Sequence, residues 1–105
     1  EKAWEVLCKS ISFSQAHNLL PITLESLTVA VDIYYRTGNY EATIDCALSL
    51  IDHPAFREEN RKVAVGLRDQ AAAALGESAY QALLAKPRRT IEALTAGLLG
   101  AQTSV

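Results

Sequence analysis

The sequence predicts an all-α fold of antiparallel helix pairs, and three observations lead to that prediction. Apolar residues recur at spacings of three and four along most of the 105 residues. Glycine (5 residues) and proline (3 residues) are scarce. Alanine and leucine, both strong helix formers, recur throughout, and no run alternates as a strand does. We therefore expect five to six helices joined by short turns.

The first two helices are separated by a proline. In residues 1–18, Trp4, Leu7 and Ile11 fall at helical spacing, and Val6 widens the same apolar stripe. Pro21 ends this helix, because proline lacks the backbone N–H that a preceding turn requires, but it suits the first turn of a new helix. We expect the second helix to run from Pro21 to about Thr37.

The third helix has the most regular pattern. It is predicted over Tyr40–Ile51, where the apolar positions satisfy the i, i+3, i+4, i+7 spacing. Gly38 precedes it, and glycine takes the left-handed conformation of helix ends at least cost. The apolar positions of the third helix are Ile44, Ala47, Leu48 and Ile51.

Three further helices are predicted in the second half. The fourth spans residues 57–75 and the fifth residues 77–85, with Gly76 between them. Thr90 is a candidate N-cap for a sixth helix that ends near residues 99–100, followed by a frayed tail at 101–105. The predicted apolar side of the fourth helix consists of Val63, Leu67, Ala71 and Ala74. We interpret residues 1–100 as a single domain and expect it to be part of a longer protein.

Composition excludes several classes of function. The net charge of -2 provides no basic field for a nucleic-acid backbone or an anionic membrane, so neither is expected as a direct partner. No apolar run approaches the roughly 20 residues that span a bilayer. Cys8 and Cys46 are widely separated and no signal segment is evident, which favours a reduced, cytoplasmic protein without a disulfide.

The order of the helices favours an α-solenoid. Neighbouring helix pairs joined by short turns cannot bury their apolar faces alone and must stack on one another. The segment from Tyr40 to Gly76 covers about one helix pair, close to the roughly 34 residues of a tetratricopeptide repeat. We therefore expect a short stack of antiparallel hairpins.

The turn between the second and third helices resembles that of tetratricopeptide-repeat proteins. Residues 34–44 read YYRTGNYEATI, in which Tyr34 would fill the space between the helices, Gly38 permits the turn and Asn39 caps the next helix. The pattern departs from the family at Val31, Thr43 and Leu50, and one repeat, residues 21–54, is clear. The resemblance implies a tetratricopeptide-like solenoid.

The end of the sequence is similar to that of a larger group. Large bacterial multidomain regulators, which carry an ATPase module and often a helix-turn-helix domain, often end their helical arrays in an Ala-Leu-Gly-Glu turn followed by an aromatic residue. Residues 74–77 read ALGE and Tyr80 follows. This resemblance implies a sensor region of a signalling or transcription regulator, although the chain itself contains no ATPase motif.

Candidate chemistry is weak throughout. A zinc site assembled from Cys8, His17, Cys46 and His53 would need closer spacings, so we predict no metal. Ser14 and His17 lie one helical turn apart, but no strained nucleophile turn or glycine cluster accompanies them. The absence of a phosphate-binding glycine loop argues against a nucleotide. We expect no cofactor and no catalytic activity.

Two surfaces remain as candidates for binding. The basic residues of the segment 86–89 are interpreted as a solvated linker, with an acidic partner or phosphate as the alternative. If the tetratricopeptide alignment holds, five residues of the second helix line the concave groove, and the alternative is an ordinary solvated face. These five residues are Glu25, Thr28, Asp32, Tyr35 and Arg36.

The leading hypothesis is a protein-interaction or sensor module of a bacterial regulator. Its partner would be a protein or peptide, and that partner could be a neighbouring domain of the same chain. Association with a second copy, as a homodimer, is a further alternative. The alternative is a small helical domain that takes an apolar effector between the second and fourth helices. Unfilled apolar volume between those helices would favour the alternative.

Overall fold

The structure is a computed structural model that describes the backbone of residues 2–103 and the side chains of residues 4–99. Its described residues form six α-helices and no strand, which confirms the all-α prediction. The helices are α1 (Lys2–Ala16), α2 (Leu20–Arg36), α3 (Tyr40–Ile51), α4 (Glu58–Leu75), α5 (Glu77–Leu84) and α6 (Ile91–Thr103).

The predicted turn residues set most helix boundaries. The Asn39 carboxamide oxygen accepts a hydrogen bond from the Ala42 N–H (3.3 Å), and the Thr90 hydroxyl accepts one from the Ala93 N–H (3.0 Å). Gly38 and Gly76 close α2 and α4 with φ of 83° and 103°, where a side chain would be strained. The predicted bounds of α3 are confirmed at both ends.

Helix α6 is longer than predicted. Instead of ending near residues 99–100, it continues to Thr103. Gly100 weakens a helix but does not stop it, and Ala101 and Gln102 both favour helix. Residues 104 and 105, in the predicted frayed tail, lie outside the described residues.

Most helices pack against the main core, which is centred on α2. Helix α2 contacts α1, α3 and α4, and α6 returns from the far end of the chain to lie against α1 and α3. The main core is defined by Leu7, Cys8, Ile11, Leu24, Leu27, Ala30, Val31, Cys46, Ala47, Leu50, Phe56, Ala64, Ile91, Leu94 and Leu98.

A second core joins α3, α4 and α5. It consists of the buried residues Ile44, Leu48, Ala71 and Leu83, with half-buried tyrosines around them. The predicted apolar side of α4 was wrong in part, because Val63 is 49% exposed and Ala74 is exposed, whereas Ala64 and Ala71 are buried. Alanine, the smallest apolar side chain, allows α4 to approach its neighbours closely, and hydropathy spacing does not identify which alanines do so.

Candidate interaction surface

Three of the five residues predicted to line a groove are available to solvent. Glu25 and Arg36 are exposed and Asp32 is partly exposed, on one side of α2. Thr28 is buried instead, and its hydroxyl donates to the Leu24 carbonyl oxygen (3.0 Å) within the same helix. Tyr35 is half-buried, and its ring packs at 5.7 Å from that of Tyr40. These two residues shape the surface more than they present polar groups from it.

The exposed charges on α2 are held by ion pairs. The Arg36 guanidinium lies 3.0 Å from the Asp32 carboxylate, one turn away. Glu25 lies 4.0 Å from Arg57, the residue before α4. Both pairs are exposed, so each contributes little to stability and both partners can turn toward an incoming polar group. The surface therefore carries both signs of charge on a single helix face, named here the α2 polar face.

An exposed apolar strip, which we name the α1–α2 edge, borders the α2 polar face. It consists of Val6 and Phe13 of α1 and Ile22 and Val29 of α2. Val6 is 60% exposed, so the prediction that it widens the core stripe of α1 was wrong. Each pair is seven residues apart, a spacing that places two apolar side chains on one helix face two turns apart. That second stripe on each helix is the signal in the sequence for this surface.

Hydroxyl groups form the floor of the α1–α2 edge. The Ser10 and Ser26 oxygens are 3.0 Å apart, and those of Ser14 and Thr23 are 2.6 Å apart. These contacts fix the antiparallel register, in which Val6 lies across from Val29 and Phe13 across from Ile22. A shallow depression of about 250 Å³ lies over this floor and is lined by both valines of the edge.

The basic segment 86–89 is attached to α3. Arg89 lies 3.3 Å from the Asp45 carboxylate, and its backbone N–H donates to the Ser49 hydroxyl oxygen (3.2 Å). Arg88 lies 3.8 Å from Asp52. The Arg89 guanidinium also donates to the Ala93 carbonyl oxygen (3.1 Å). Acidic side chains of the chain itself thus face both arginines, and the segment connects α5 to α6 across the surface of α3.

The side chains considered for chemistry are engaged in structural contacts. Ser14 is buried and its hydroxyl donates to the Ile11 carbonyl oxygen (2.9 Å), whereas the exposed His17 ring stacks on Phe13 at 4.2 Å. His53 accepts a hydrogen bond from the Ala55 N–H (3.1 Å) in the turn after α3. Among the described residues, no group of three or more His, Cys, Asp or Glu side chains is placed to hold a metal ion.

Both cysteines are buried, and neither forms a disulfide with the other. Burial raises the pKa of the Cys46 thiol to about 12, with the nearby Asp45 carboxylate acting in the same direction. Burial also raises the pKa of Cys8 and of the half-buried Tyr34. A thiol with a raised pKa is a poor nucleophile at neutral pH, so the environment of Cys46 suits packing and not reaction.

Comparison with protein-family models, with curated proteins and with solved structures finds no match to this chain. Among the described residues, no helix has the length and apolar character needed to cross a membrane. The function must therefore be argued from the surfaces of this molecule.

Proposed function

We propose that this chain is a helical-repeat module that binds a protein or peptide. The observation that carries the proposal is the placement of α2, which packs on α3 and also on α4, two helices further along the chain. Contacts to both the next helix and the one after it are what stacking of tetratricopeptide-like hairpins requires. The turn at Gly38 and Asn39 supports the same view, with a positive φ and a side-chain cap.

In this proposal, the module is a sensor or scaffold part of a cytoplasmic regulator of signalling or transcription in bacteria. Two buried cysteines that are not joined by a disulfide suit a reducing compartment. The regulator role is supported by the resemblance of the Ala-Leu-Gly-Glu turn and Tyr80 to the ends of such arrays. Here that turn joins α4 to α5, with Gly76 in a positive-φ conformation.

The α2 polar face is the proposed binding surface. The carboxylates of Glu25 and Asp32 accept hydrogen bonds, and the Arg36 guanidinium is a bidentate hydrogen-bond donor. These groups are spread along three turns of one helix, so they can pair with charges and backbone groups of an extended peptide. The half-buried Tyr35 ring adds an apolar contact beside them. Of these groups, Tyr35 and Arg36 are the residue types that are enriched in protein interfaces.

A charge swap tests the proposed surface. Exchanging the two residues of the 3.0 Å pair, as D32R together with R36D, keeps an i, i+4 ion pair but inverts the charge pattern. Peptides selected from a random library against the wild-type protein should bind the swapped variant at least about tenfold more weakly, or ~1.4 kcal/mol. Fluorescence anisotropy with labelled peptides provides the measurement.

The matched control changes an exposed charge on another helix. Glu77→Lys at the start of α5 alters the net charge but lies away from α2, so the same peptides should keep their affinity. Equal binding by the wild-type and swapped proteins would contradict the assignment of the surface. Failure to select any peptide that binds would contradict the module's proposed role.

The ligand-binding alternative receives less support. Four of the better-defined cavities among the described residues lie elsewhere than between α2 and α4. The most enclosed of the four, of about 150 Å³, lies between α2, α3 and α6 and includes Asp45 and Arg89 in its lining. That volume is smaller than the roughly 300 Å³ of typical ligand pockets. Two of the other cavities are larger, about 440 and 610 Å³, but they are wider open and lie between α1, α2 and α6 and between α3, α5 and the segment 86–89.

A further inference from the structure

We propose that the α1–α2 edge binds an amphipathic helix, which would lie along the groove between α1 and α2. This inference deepens the proposed function and rests on it, since it uses the same stack of helices, but it concerns the apolar side chains that border the α2 polar face and not the charged groups of that face. Four apolar side chains, each about 40 to 60% exposed, line this one edge of a chain with 105 residues. Their common exposure is the first observation.

The second observation is that the molecule already contains such a helix on an equivalent groove. Helices α2 and α4 begin at residues 20 and 58 and are followed by Gly38 and Gly76, both with positive φ, so an offset of 38 residues relates them. Helix α2 packs on α3 and α4. A helix on α1 and α2 would therefore repeat, one step earlier in the stack, a contact that the structure contains.

Two equivalent positions of α2 and α4 agree in chemistry, whereas a third, Ile22, corresponds to the polar Asn60. At an offset of 38, Ser26 on the floor of the edge corresponds to Ala64, which is fully buried in the main core with Leu24, Leu27 and Val31 of α2. Val29 corresponds to Leu67, which packs against the same core. A small residue beside a larger apolar one thus lines both grooves. On α4, Ala64 and Leu67 are covered by the side chains of the main core, whereas on α2 the equivalent Val29 remains 47% exposed.

The geometry of the edge specifies its occupant. Its apolar side chains are two helical turns apart on each helix, about 10.5 Å along the axis. The small hydroxyl residues between them, at the level of Ser10 and Ser26, let a third backbone approach closely. A partner helix with apolar residues at i, i+3 or i+4 and i+7 would place them over both rows. The acidic net charge argues against an anionic lipid surface as the occupant.

The probe is a synthetic peptide of residues 20–36. Its own apolar stripe, Leu24, Leu27 and Val31, has the required spacing. We expect saturable binding to the full chain, with amide chemical-shift changes in two-dimensional NMR spectra concentrated around Val6, Phe13 and Val29. A control peptide with Leu27→Lys should bind at least about tenfold more weakly, because it places a charge on the apolar stripe.

Variants of the protein locate the site. The double variant V6K/V29K should lower the affinity for the peptide at least about tenfold, since burial of two apolar side chains is lost. The matched control is Val63→Lys on α4, because Val63 is 49% exposed, close to the 47% of Val29. All three positions are about half exposed, so the variants should fold, and circular dichroism would verify it.

Four results would overturn the proposal. The first is the absence of saturable binding, and the second is an equal loss of peptide affinity in the Val63→Lys control. The third is a set of amide chemical-shift changes centred on α3 and α4, which would mean that the peptide replaces α2. The fourth is a dimer by light scattering that V6K/V29K abolishes, which would assign the edge to a second copy. The D32R/R36D variant keeps all four apolar side chains of the edge and should weaken this binding less than V6K/V29K does, so that a failure at the α2 polar face can be distinguished from a failure at the edge.

Discussion

The two cores of this molecule are built from different materials. The main core is mostly aliphatic, with the buried ring of Phe56 among its side chains, and Ile11, Leu27 and Leu50 within it have no exposed surface. The second core surrounds Ala71 and Leu83 with half-buried tyrosines such as Tyr35 and Tyr80. Helices α3 and α4 contribute to both cores, and the two α4 residues, Ala64 and Ala71, lie two turns apart on one face of that helix. The comparison indicates that the main core supplies most of the stability, whereas the second core orients α5.

The largest expected effect measures this difference directly. Leu27→Ala in the main core should lower the free energy of unfolding by about 3 to 4 kcal/mol, because Leu27 is fully buried and its neighbours on several helices cannot all close the cavity. Leu83→Ala in the second core should cost about 2 kcal/mol, since Leu83 keeps 8% exposure. Urea unfolding, followed by the fluorescence of the single tryptophan, Trp4, measures both.

A larger decrease in the free energy of unfolding for Leu83→Ala than for Leu27→Ala would contradict the view that the main core supplies most of the stability. A shared unfolding transition in the two variants is also expected, because α3 and α4 belong to both cores. Two separate transitions in the wild type, detected by circular dichroism and by Trp4 fluorescence, would instead make the second core an independent unit.

The main core also predicts a pH dependence. Cys46 lies within it, and burial raises the pKa of its thiol from 9.0 to about 12. In the unfolded chain the thiol ionises above pH 9, whereas in the folded chain it stays protonated. Ionisation therefore stabilises the unfolded state relative to the folded state as the pH rises. The stability from this group is therefore complete below pH 9 and is lost between pH 9 and about 12, by up to about 1.4 kcal/mol per pH unit.

Cys46→Ala isolates this contribution. Urea unfolding at a series of pH values from 8 to 11 should show a shallower fall for the variant than for the wild type. A remaining slope of the same sign is expected, because the pKa values of Tyr34 and Cys8 are also raised by burial. An unchanged slope in the variant would mean that water reaches the Cys46 thiol and that the main core is less well sealed than its packing indicates.

The contrast between the cores also explains what the sequence predicted. Regular aliphatic spacing located α3 at both ends, and the caps Asn39 and Thr90 were identified because their side chains satisfy orphan backbone groups. The buried face of α4 was missed because it depends on which alanines lie closest to neighbouring helices. The return of α6 onto α1 and α3 is a long-range contact that no local pattern encodes.

The candidate surfaces were predictable to different degrees. The repeat-like motif placed Asp32 and Arg36 on the solvent side of α2, where both are at least partly exposed, but it also placed Thr28 there, which is buried. The burial of Thr28 depends on how the neighbouring helices pack against α2. The α1–α2 edge was missed because Val6 falls next to the core stripe of α1 in a helical projection, and only the packed structure shows which flank is covered. No local pattern indicates that Asp45 faces Arg89, since 44 residues separate them.

The smallest expected effect concerns the connection between the two cores. Arg89 leads from α5, in the second core, to α6, in the main core, and is held by Asp45 at 3.3 Å and by the Ala93 carbonyl oxygen. Arg89→Ala should lower the free energy of unfolding by only about 0.5 kcal/mol, because both charges are partly exposed and screened. Amide hydrogen exchange should nevertheless speed up in α6 more than in α3, since the contacts of Arg89 act locally on α6.

The control is Arg88→Ala, whose 3.8 Å pair with the more exposed Asp52 should have a smaller effect on hydrogen exchange in α6. Equal acceleration in both variants would mean that the whole linker, and not the Arg89 contact, holds α6 against the main core.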